Sequence, residues 1–310
     1  MLTITRMKCL LHSIPLGLLS LVCFVRPAAA IVGYYNVNVT PGWNLLANQL
    51  ILSPNTSATN VLTAVPVDGS LLYRFNPVTQ AYYEAATYFT GVGWYPTSGN
   101  FNDASIDLPL GEGFVIWSPS NWVATIVGEV PTGSLTNPLP AGFSLRASMV
   151  PQAGTLQSSL LFPPYNGDQV WRWVAPGFSA FSYDANMLWQ PSQPSLNVGE
   201  SFFLYRSPDQ ATPDHWWIRN FTVALMAGAS SGFAAASAAP TAAPGVEITS
   251  IRFREGQVVL TVKNDSGASY AMQFSSDGVV WTTVATGLTG TTWQEPARAG
   301  AQGYYQVVNP

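Results

Sequence analysis

The sequence predicts an all-β protein built from small antiparallel sandwich or barrel modules. Short runs rich in β-branched and aromatic residues recur along the chain, and Gly, Pro, Asn or Asp bounds each run. No window shows the sustained i, i+3, i+4, i+7 apolar spacing of an amphipathic helix, so residues 55–64 are expected to form one or two helical turns at most. Similar runs also reappear in the same order in two successive segments, which indicates an internal repeat.

Residues 1–30 have the features of a secretory leader. Arg6 and Lys8 give it a positive start, an apolar stretch follows over 10–25, and alanines at 28–30 suit signal peptidase. A transmembrane helix needs about 20 apolar residues, and Pro15 interrupts this shorter run. We therefore expect cleavage after Ala30, no transmembrane segment in the mature chain, and a secreted, periplasmic or cell-surface location.

Cysteine and charge narrow the chemistry of the mature chain. Cys9 and Cys23, the two cysteines of the chain, both lie in the leader, so residues 31–310 have no thiol for a disulfide, a metal site or a nucleophile. Those residues carry nine basic and sixteen acidic side chains, and Lys263 is their single lysine. This balance argues against nucleic acid or an anionic membrane as a partner, because both are bound through Lys and Arg clusters.

Four runs define the repeat, with one copy at 31–130, called module 1 below, and one at 131–224, called module 2. The matched runs are 41–45 (PGWNL) with 141–145 (AGFSL), 73–75 (YRF) with 171–173 (WRW), 94–96 (WYP) with 189–191 (WQP), and 111–117 (GEGFVIW) with 199–205 (GESFFLY). Strands are expected in module 1 at 37–39, 44–48, 71–75 and 113–117. Arg74 and Arg172 each stand between two aromatic residues, so in a strand they face away from both neighbours.

These runs also resemble a known β module. The series 42–45 (GWNL), 72–75 (LYRF), 80–82 (QAY) and 111–115 (GEGFV) is similar to a module of large secreted bacterial proteins, which opens on GWNL and closes on a G-x-G-aromatic strand. The resemblance covers both modules and implies a fold without an assigned activity. Module 2 departs from it, because Phe143 replaces the Trp and Ser201 replaces the second Gly.

A linker and a small C-terminal β module are expected after module 2. Residues 225–245 are rich in Ala, Ser, Gly, Thr and Pro, which is typical of a flexible tether, although an Ala-rich helix is the competing interpretation. Residues 246–310 alternate apolar and polar residues in five expected strands at 248–253, 257–262, 269–274, 279–284 and 303–308. Asp277-Gly278 predicts a two-residue hairpin. This segment resembles a fibronectin type III or immunoglobulin-like sandwich of minimal size, and it is similar to C-terminal modules of secreted bacterial proteins.

Few residues carry the signature of a reaction. Glu112 and Glu200 are the most tempting carboxylates, and a glycan hydrolase would need two such groups facing one bond. Because they occupy matched places in two modules, a structural role is the stronger interpretation. His215 is expected to be an ordinary surface or interface residue. Turn roles are expected for Asp68, for Asp168, and for the oxygen-rich stretches at 103–107 and 264–266 that could be mistaken for calcium sites.

Aromatic side chains are the best binding candidates, because sugar-binding β modules stack flat rings on pyranoses. Trp122, Trp216 and Trp217 have no counterpart in the repeat, and Tyr83 joins them as a candidate stacking residue. Trp216 and Trp217 are adjacent in an expected strand, so one should be buried and the other exposed.

The leading hypothesis from the sequence is a secreted or cell-surface, non-enzymatic structural or interaction protein with no cofactor. Its partner would be an extracellular glycan or another surface protein. A carbohydrate-binding protein and an acid-pair glycan hydrolase are the alternatives.

Overall fold

The computed structural model describes residues 31–52, 55–62, 66–99, 106–208, 216–222, 243, 245–254, 256–298 and 302–310. The predicted leader, His215 and most of the predicted linker lie outside these ranges. Within them the protein is almost entirely antiparallel β structure, as the sequence predicts, and the sheets are open. In the described parts of the chain, no helix has the length and hydropathy needed to cross a membrane.

Module 1 contains nine strands and one helical turn in its described residues. The elements are β1 (Val32–Val39), β2 (Gly42–Ala47), α1 (Ala58–Val61), β3 (Leu71–Tyr73), β4 (Phe75–Asn76), β5 (Ala81–Tyr82), β6 (Ala86–Phe89), β7 (Gly93–Pro96), β8 (Gly113–Ser118) and β9 (Trp122–Glu129). The short helix α1 lies where the sequence allows one or two helical turns.

Module 2 also contains nine strands in its described residues. They are β10 (Gly133–Pro138), β11 (Gly142–Ala147), β12 (Gly154–Thr155), β13 (Gln169–Val174), β14 (Gly177–Asp184), β15 (Leu188–Gln190), β16 (Ser195–Leu196), β17 (Ser201–Arg206) and β18 (Trp216–Phe221). The C-terminal segment, residues 246–310, adds β19 (Val246–Arg254), β20 (Gln257–Asn264), β21 (Tyr270–Ser275), β22 (Thr282–Leu288), β23 (Thr292–Pro296) and β24 (Gln302–Val308).

The two modules have five-stranded sheets of the same strand order. It is β2-β8-β3-β6-β7 in module 1 and β11-β17-β13-β14-β15 in module 2. The registers agree as well, because Gly42 pairs with Ser118 at the start of β2 and Gly142 pairs with Arg206 at the start of β11. Each sheet is accompanied by an antiparallel strand pair, β1 with β9 and β10 with β18.

Alternation along the strands gives each sheet two apolar faces. On one face, Leu46, Phe114 and Ile116 enter the core of module 1, while Phe202 and Leu204 enter the separate core of module 2. On the other face, residues of both sheets form one small shared cluster. Its members are Leu45, Val115 and Leu145, with Tyr73, Phe75, Trp173 and Phe203 packed around them. The modules therefore pack sheet against sheet.

Edge strands β2 and β11 complete this contact, which we call the seam. The backbone of Leu46 forms an isolated antiparallel β-bridge with Glu200, and the backbone of its matched residue Arg146 forms one with Glu112. The amide of Ala47 donates to the Gly199 carbonyl at 2.9 Å, and the amide of Ala147 donates to the Gly111 carbonyl at 3.0 Å. Each contact has a counterpart with the modules exchanged, so the seam has an approximate two-fold axis.

The matched positions Gly113 and Ser201 meet at the seam. A Cβ added to Gly113 would lie 2.4 Å from the Ser201 Cβ and 2.7 Å from Leu145 Cγ. The two positions face each other, so there is room for one side chain and not for two. The side chain of Ser201 occupies the space that Gly113, its matched residue, leaves free.

The C-terminal segment is not joined to the rest by a tether alone. Strands β19, β20 and β23 form one sheet, whereas β21, β22 and β24 belong to a five-stranded sheet of order β22-β21-β24-β1-β9. Strand β1 of module 1 is thus the neighbour of β24. The two sheets pack face to face as a sandwich, and Val32, Tyr34 and Val127 of module 1 belong to its core.

Two local expectations in this segment are wrong. The sequence predicts five strands, but the described residues contain a sixth, β23. The predicted two-residue hairpin at Asp277-Gly278 is a longer loop, and β22 begins at Thr282. The reason is that Asp277 Oδ1 accepts the amides of Val279 and Val280 at 2.8 Å each. A side chain thereby satisfies backbone groups that strand pairing would otherwise use.

We expect Gly113→Ala to destabilise the protein by about 1–3 kcal/mol, because the new methyl group overpacks the seam. Ser201→Gly in the same chain should restore most of the loss, since the Ser201 hydroxyl makes no hydrogen bond with any described residue. Urea unfolding of the four chains of this double-mutant cycle measures the coupling. Gly177→Ala is the control, because no atom lies within 4 Å of its added Cβ. Additive effects of the two seam substitutions would contradict this packing.

Candidate functional site

The four candidate stacking residues do not form one surface. Trp217 is wholly buried in the module 2 core, and its Nε1 donates to the Leu160 carbonyl at 2.9 Å. The prediction that Trp217 stacks on a ligand is therefore wrong. Its indole fills the core of module 2 and donates a hydrogen bond to a backbone carbonyl there. Trp216, its neighbour on β18, is 43% exposed. One ring is buried and the other exposed, as strand alternation predicts.

The two remaining candidates are half-buried and lie apart in the fold. Trp122, on β9, packs against the core of module 1. Tyr83 follows β5, and the Arg74 guanidinium lies 5.4 Å from the centre of its ring. Trp122, Trp216 and Tyr83 thus belong to different sheets or connections, and Trp122 and Tyr83 each have a local packing role.

The matched glutamates are held by matched arginines. Arg74 Nη2 donates to Glu112 Oε2 at 2.6 Å, and Arg172 makes two bonds to Glu200 at 2.7 and 2.9 Å. Bidentate pairing of this kind fixes both side chains. The amide of Asn197 also donates to Glu200 at 2.9 Å, which is the turn contact that a structural glutamate would make.

A second arginine reaches Glu112, and it comes from module 2. Arg146 Nη1 lies 3.5 Å from Glu112 Oε1 and donates to Asn137 Oδ1 at 3.3 Å. Burial lowers the pKa of Arg146, while the Glu112 charge opposes that shift. Glu112 thus pairs with one arginine from each module, so its negative charge attracts both modules at the seam.

Module 2 has a buried ion pair that the sequence does not reveal. Asp168 and Arg206 are almost fully buried, and the guanidinium donates to the two carboxylate oxygens at 3.0 and 2.7 Å. Asp168 also accepts the Tyr165 amide, so the expected turn role accounts for only part of its contacts. At the corresponding strand and turn positions module 1 has Ser70 and Ser118, which are also buried.

Aromatic rings along the seam contact one another in an unbroken row, called the aromatic strip below. Its consecutive members are Trp43, Tyr73, Tyr82, Phe75, Phe203, Phe178 and Trp173, and neighbouring ring centroids are 5.0–6.1 Å apart. The strip crosses from module 1 to module 2 between Phe75 and Phe203. Trp43, Tyr82 and Phe178 are 42–51% exposed. These rings lie on the sheet faces that meet at the seam, so those at its centre are covered and those at its margin reach solvent.

Sequence reasoning missed the aromatic strip because it chose tryptophans without a repeat counterpart as binding candidates and so set aside aromatic residues at repeated positions. That rule holds for Trp94 and Trp189, which are both buried. It fails for the matched pair Trp43 and Phe143, which are 42% and 39% exposed. The alternation of Trp43 with Leu45, a residue of the shared cluster, is the sequence signal that places this ring on the seam face.

Gln80 of module 1 binds the edge strand β11 of module 2. Its side-chain amide donates to the Phe143 carbonyl at 2.9 Å, and its Oε1 accepts the Phe143 amide at 2.8 Å. One side chain thus pairs with the edge of β11 as a neighbouring strand would. This contact gives a physical role to the Gln of the 80–82 run.

A cleft of about 380 Å³ lies between module 1 and the C-terminal segment. Its lining includes Ile51, Asn60 and Glu129 on one side and Ser250 and Arg252 on the other. Burial raises the pKa of Glu129, and the nearby Glu247 charge adds to the rise.

The oxygen-rich stretches make local contacts. Asn264 donates to the Ala268 carbonyl, and Asp265 lies 3.0 Å from Lys263 Nζ. Of the other stretch, 106 and 107 are described, and Asp107 accepts a hydrogen bond from Thr56. Across the described ranges no three His, Cys, Asp or Glu residues come together as metal ligands would.

No family model, curated protein or solved structure matches this chain.

We expect Asp168→Asn to cost about 3–5 kcal/mol, since it leaves the Arg206 charge buried without a counter-charge. Asp68→Asn is the control. Asp68 accepts the Thr90 amide on the surface, and module 2 has Asn166 in the same role toward Ala185. That change should cost less than about 1 kcal/mol. Equal urea midpoints for the two variants would contradict a stabilising role for the buried pair.

Proposed function

We propose that this chain is an exported, non-enzymatic structural or interaction protein whose two modules arose by duplication and act as one rigid body. The matched order of strands and the reciprocal contacts of the seam support the duplication. The resemblance to modules of secreted bacterial proteins supports export, as does the expected leader. The C-terminal segment, with its two packed sheets, is consistent with the proposed fibronectin-like module.

One observation carries this proposal: the matched glutamates are bound to arginines in the seam. Glu112 and Glu200 are the carboxylates best suited by position to acid–base chemistry, yet Arg74 and Arg172 hold them. A catalytic carboxylate of a glycosidase must be free to reach the glycosidic bond, whereas each of these glutamates is hydrogen-bonded to a guanidinium. The acid-pair hydrolase is thereby disfavoured, and the glutamates are better explained as contacts that fix the shape of the body.

The fold is compatible with cleavage after Ala30. Ile31 is buried, and its carbonyl already accepts the Val130 amide at 2.8 Å. We expect the exported protein to begin at Ile31, and intact-mass measurement of protein recovered outside the expressing cells tests this. Recovery of the full 310-residue chain there would contradict the expectation.

Absence of glycan hydrolysis tests the non-enzymatic proposal. We expect wild type and the Glu112→Gln/Glu200→Gln variant to release equal, background amounts of reducing sugar from a panel of polysaccharides. Release by wild type that the double variant loses would overturn the proposal. Circular dichroism of the variant shows whether a loss reflects unfolding, and Glu84→Gln, at another carboxylate of module 1, is the matched charge control.

Carbohydrate binding is the second candidate function, and the exposed rings of the aromatic strip favour it. The exposed rings of Trp43 and Tyr82 are suited to stack on a sugar, as the flat rings of sugar-binding β modules do. If a glycan binds there, Trp43→Ala and Tyr82→Ala should each weaken affinity by roughly tenfold. Isothermal titration measures this, and Val78→Ala, at an exposed apolar residue outside the strip, is the control. Loss of binding on Trp216→Ala alone would assign the site to β18 instead.

A further inference from the structure

Strands β1 and β24 recognise each other through the same three-residue run, Gly-Tyr-Tyr at 33–35 and at 303–305. They pair antiparallel with Gly33 opposite Tyr304 and Tyr34 opposite Gly303. A Cβ added to Gly33 would lie 2.7 Å from the Tyr304 ring, and one added to Gly303 would lie 2.6 Å from the Tyr34 ring. Each glycine therefore makes room for the tyrosine of the opposite strand, which fixes the register.

Both strands are buried on both faces. From β1, Val32 and Tyr34 enter the core of the C-terminal sandwich, while Tyr35 and Val39 enter the core of module 1. The run 31–35 is accordingly apolar without alternation, as expected for a strand covered on two sides.

Strand β24 is divided in the same way. Tyr305 and Val307 enter the sandwich core, whereas Tyr304 enters the module 1 core and its hydroxyl donates to the Pro151 carbonyl at 3.0 Å. Detached from module 1, the C-terminal segment would therefore expose Tyr304 and the part of its core that Val32, Tyr34 and Val127 cover. The strand that covers this surface must bring small and large residues in the β1 order.

We infer that a second copy of this chain can supply that strand, so that two copies exchange their C-terminal segments and β24 of each pairs with β1 of the other. Outside the C-terminal segment, β24 contacts module 1 and Pro151. These contacts can form equally well between two chains. Exchange of an identical element preserves every such contact and costs little. Residues 225–245, between module 2 and β19, have a composition typical of a flexible tether, and a tether of that kind would let the segment reach either partner.

Concentration decides which arrangement forms. A flexible tether holds its segment at an effective concentration on the order of millimolar. Refolding at about 10 μM should therefore yield monomers, and refolding at about 1 mM should yield a substantial exchanged dimer. The dimer should persist after dilution, because separating β1 from β24 requires opening two cores.

Refolding the unmodified 31–310 chain from urea at these two concentrations, followed by sedimentation after dilution, tests the inference. We expect the dimer fraction to rise at least tenfold between 10 μM and 1 mM. A chain that is wholly monomeric after refolding at both concentrations would overturn it.

Single cysteines identify the exchanged strands, since residues 31–310 have none of their own. Chains with Gly33→Cys and chains with Tyr304→Cys, refolded together at about 1 mM, should form a disulfide-linked heterodimer. Asn38→Cys and Val123→Cys, which face each other between β1 and β9 within module 1, are the matched control and should not link different chains. Linking that is as efficient for the control pair would overturn exchange of the C-terminal segment. Sedimentation of the unmodified chain decides the question if a cysteine variant does not fold.

Discussion

The close contact of two matched sheet edges is the constraint on which this architecture depends. At the approximate axis of the seam, Gly113 and Ser201 occupy one small space, and Leu45 and Leu145 lie in the cluster beside them. The reciprocal backbone bonds from Ala47 and Ala147 then fix how the edges meet. The edge strand of a β-sheet leaves backbone N–H and C=O groups unpaired. Each module therefore covers part of the exposed sheet edge of the other. The ion pairs of Glu112 and Glu200 lie beside this axis, because each glutamate directly precedes Gly113 or Ser201, and both glutamate side chains keep some contact with solvent.

The sequence was sufficient to predict the all-β class, the positions of the principal strands and the opposed facing of Arg74 and Arg172. It succeeded because alternation and turn residues are local properties, and because a repeated pattern reports the same structure twice. It also predicted that one of Trp216 and Trp217 would be buried, although not which one. That choice depends on the carbonyl of Leu160, which is distant in sequence and close in space.

Long-range partners account for what the sequence did not predict. Nothing near Asp168 in the chain indicates that Arg206 will be its counter-charge. Likewise, the exposed margin of the aromatic strip depends on how two sheets meet and not on the pattern of either sheet. The binding candidates chosen for lacking a repeat counterpart were consequently the wrong set in part, since Trp217 fills a core and the repeated position of Trp43 faces solvent.

Strand β1 is another case in which a long-range partner was not predicted from the sequence, here between two parts of the chain that were expected to be separate domains. The composition change after module 2 favours a separate, tethered C-terminal unit, yet backbone pairing joins that unit to strand β1 of module 1. Its unbroken apolar run was the available signal, because a strand that serves one core alternates and a strand that serves two does not. The aromatic residues of β1 and β24 thus unite parts of the chain that composition separates.

Amide hydrogen exchange at Ala47 and Ala147 tests the central claim most directly, because these two amides cross from one module to the other. If the modules form a single cooperative body, both amides should exchange only on global unfolding, as slowly as the amides that pair β2 with β8 inside module 1. Fast exchange at Ala47 and Ala147, with the amides between β2 and β8 still protected, would show that the modules are separate units in loose contact and would contradict the account.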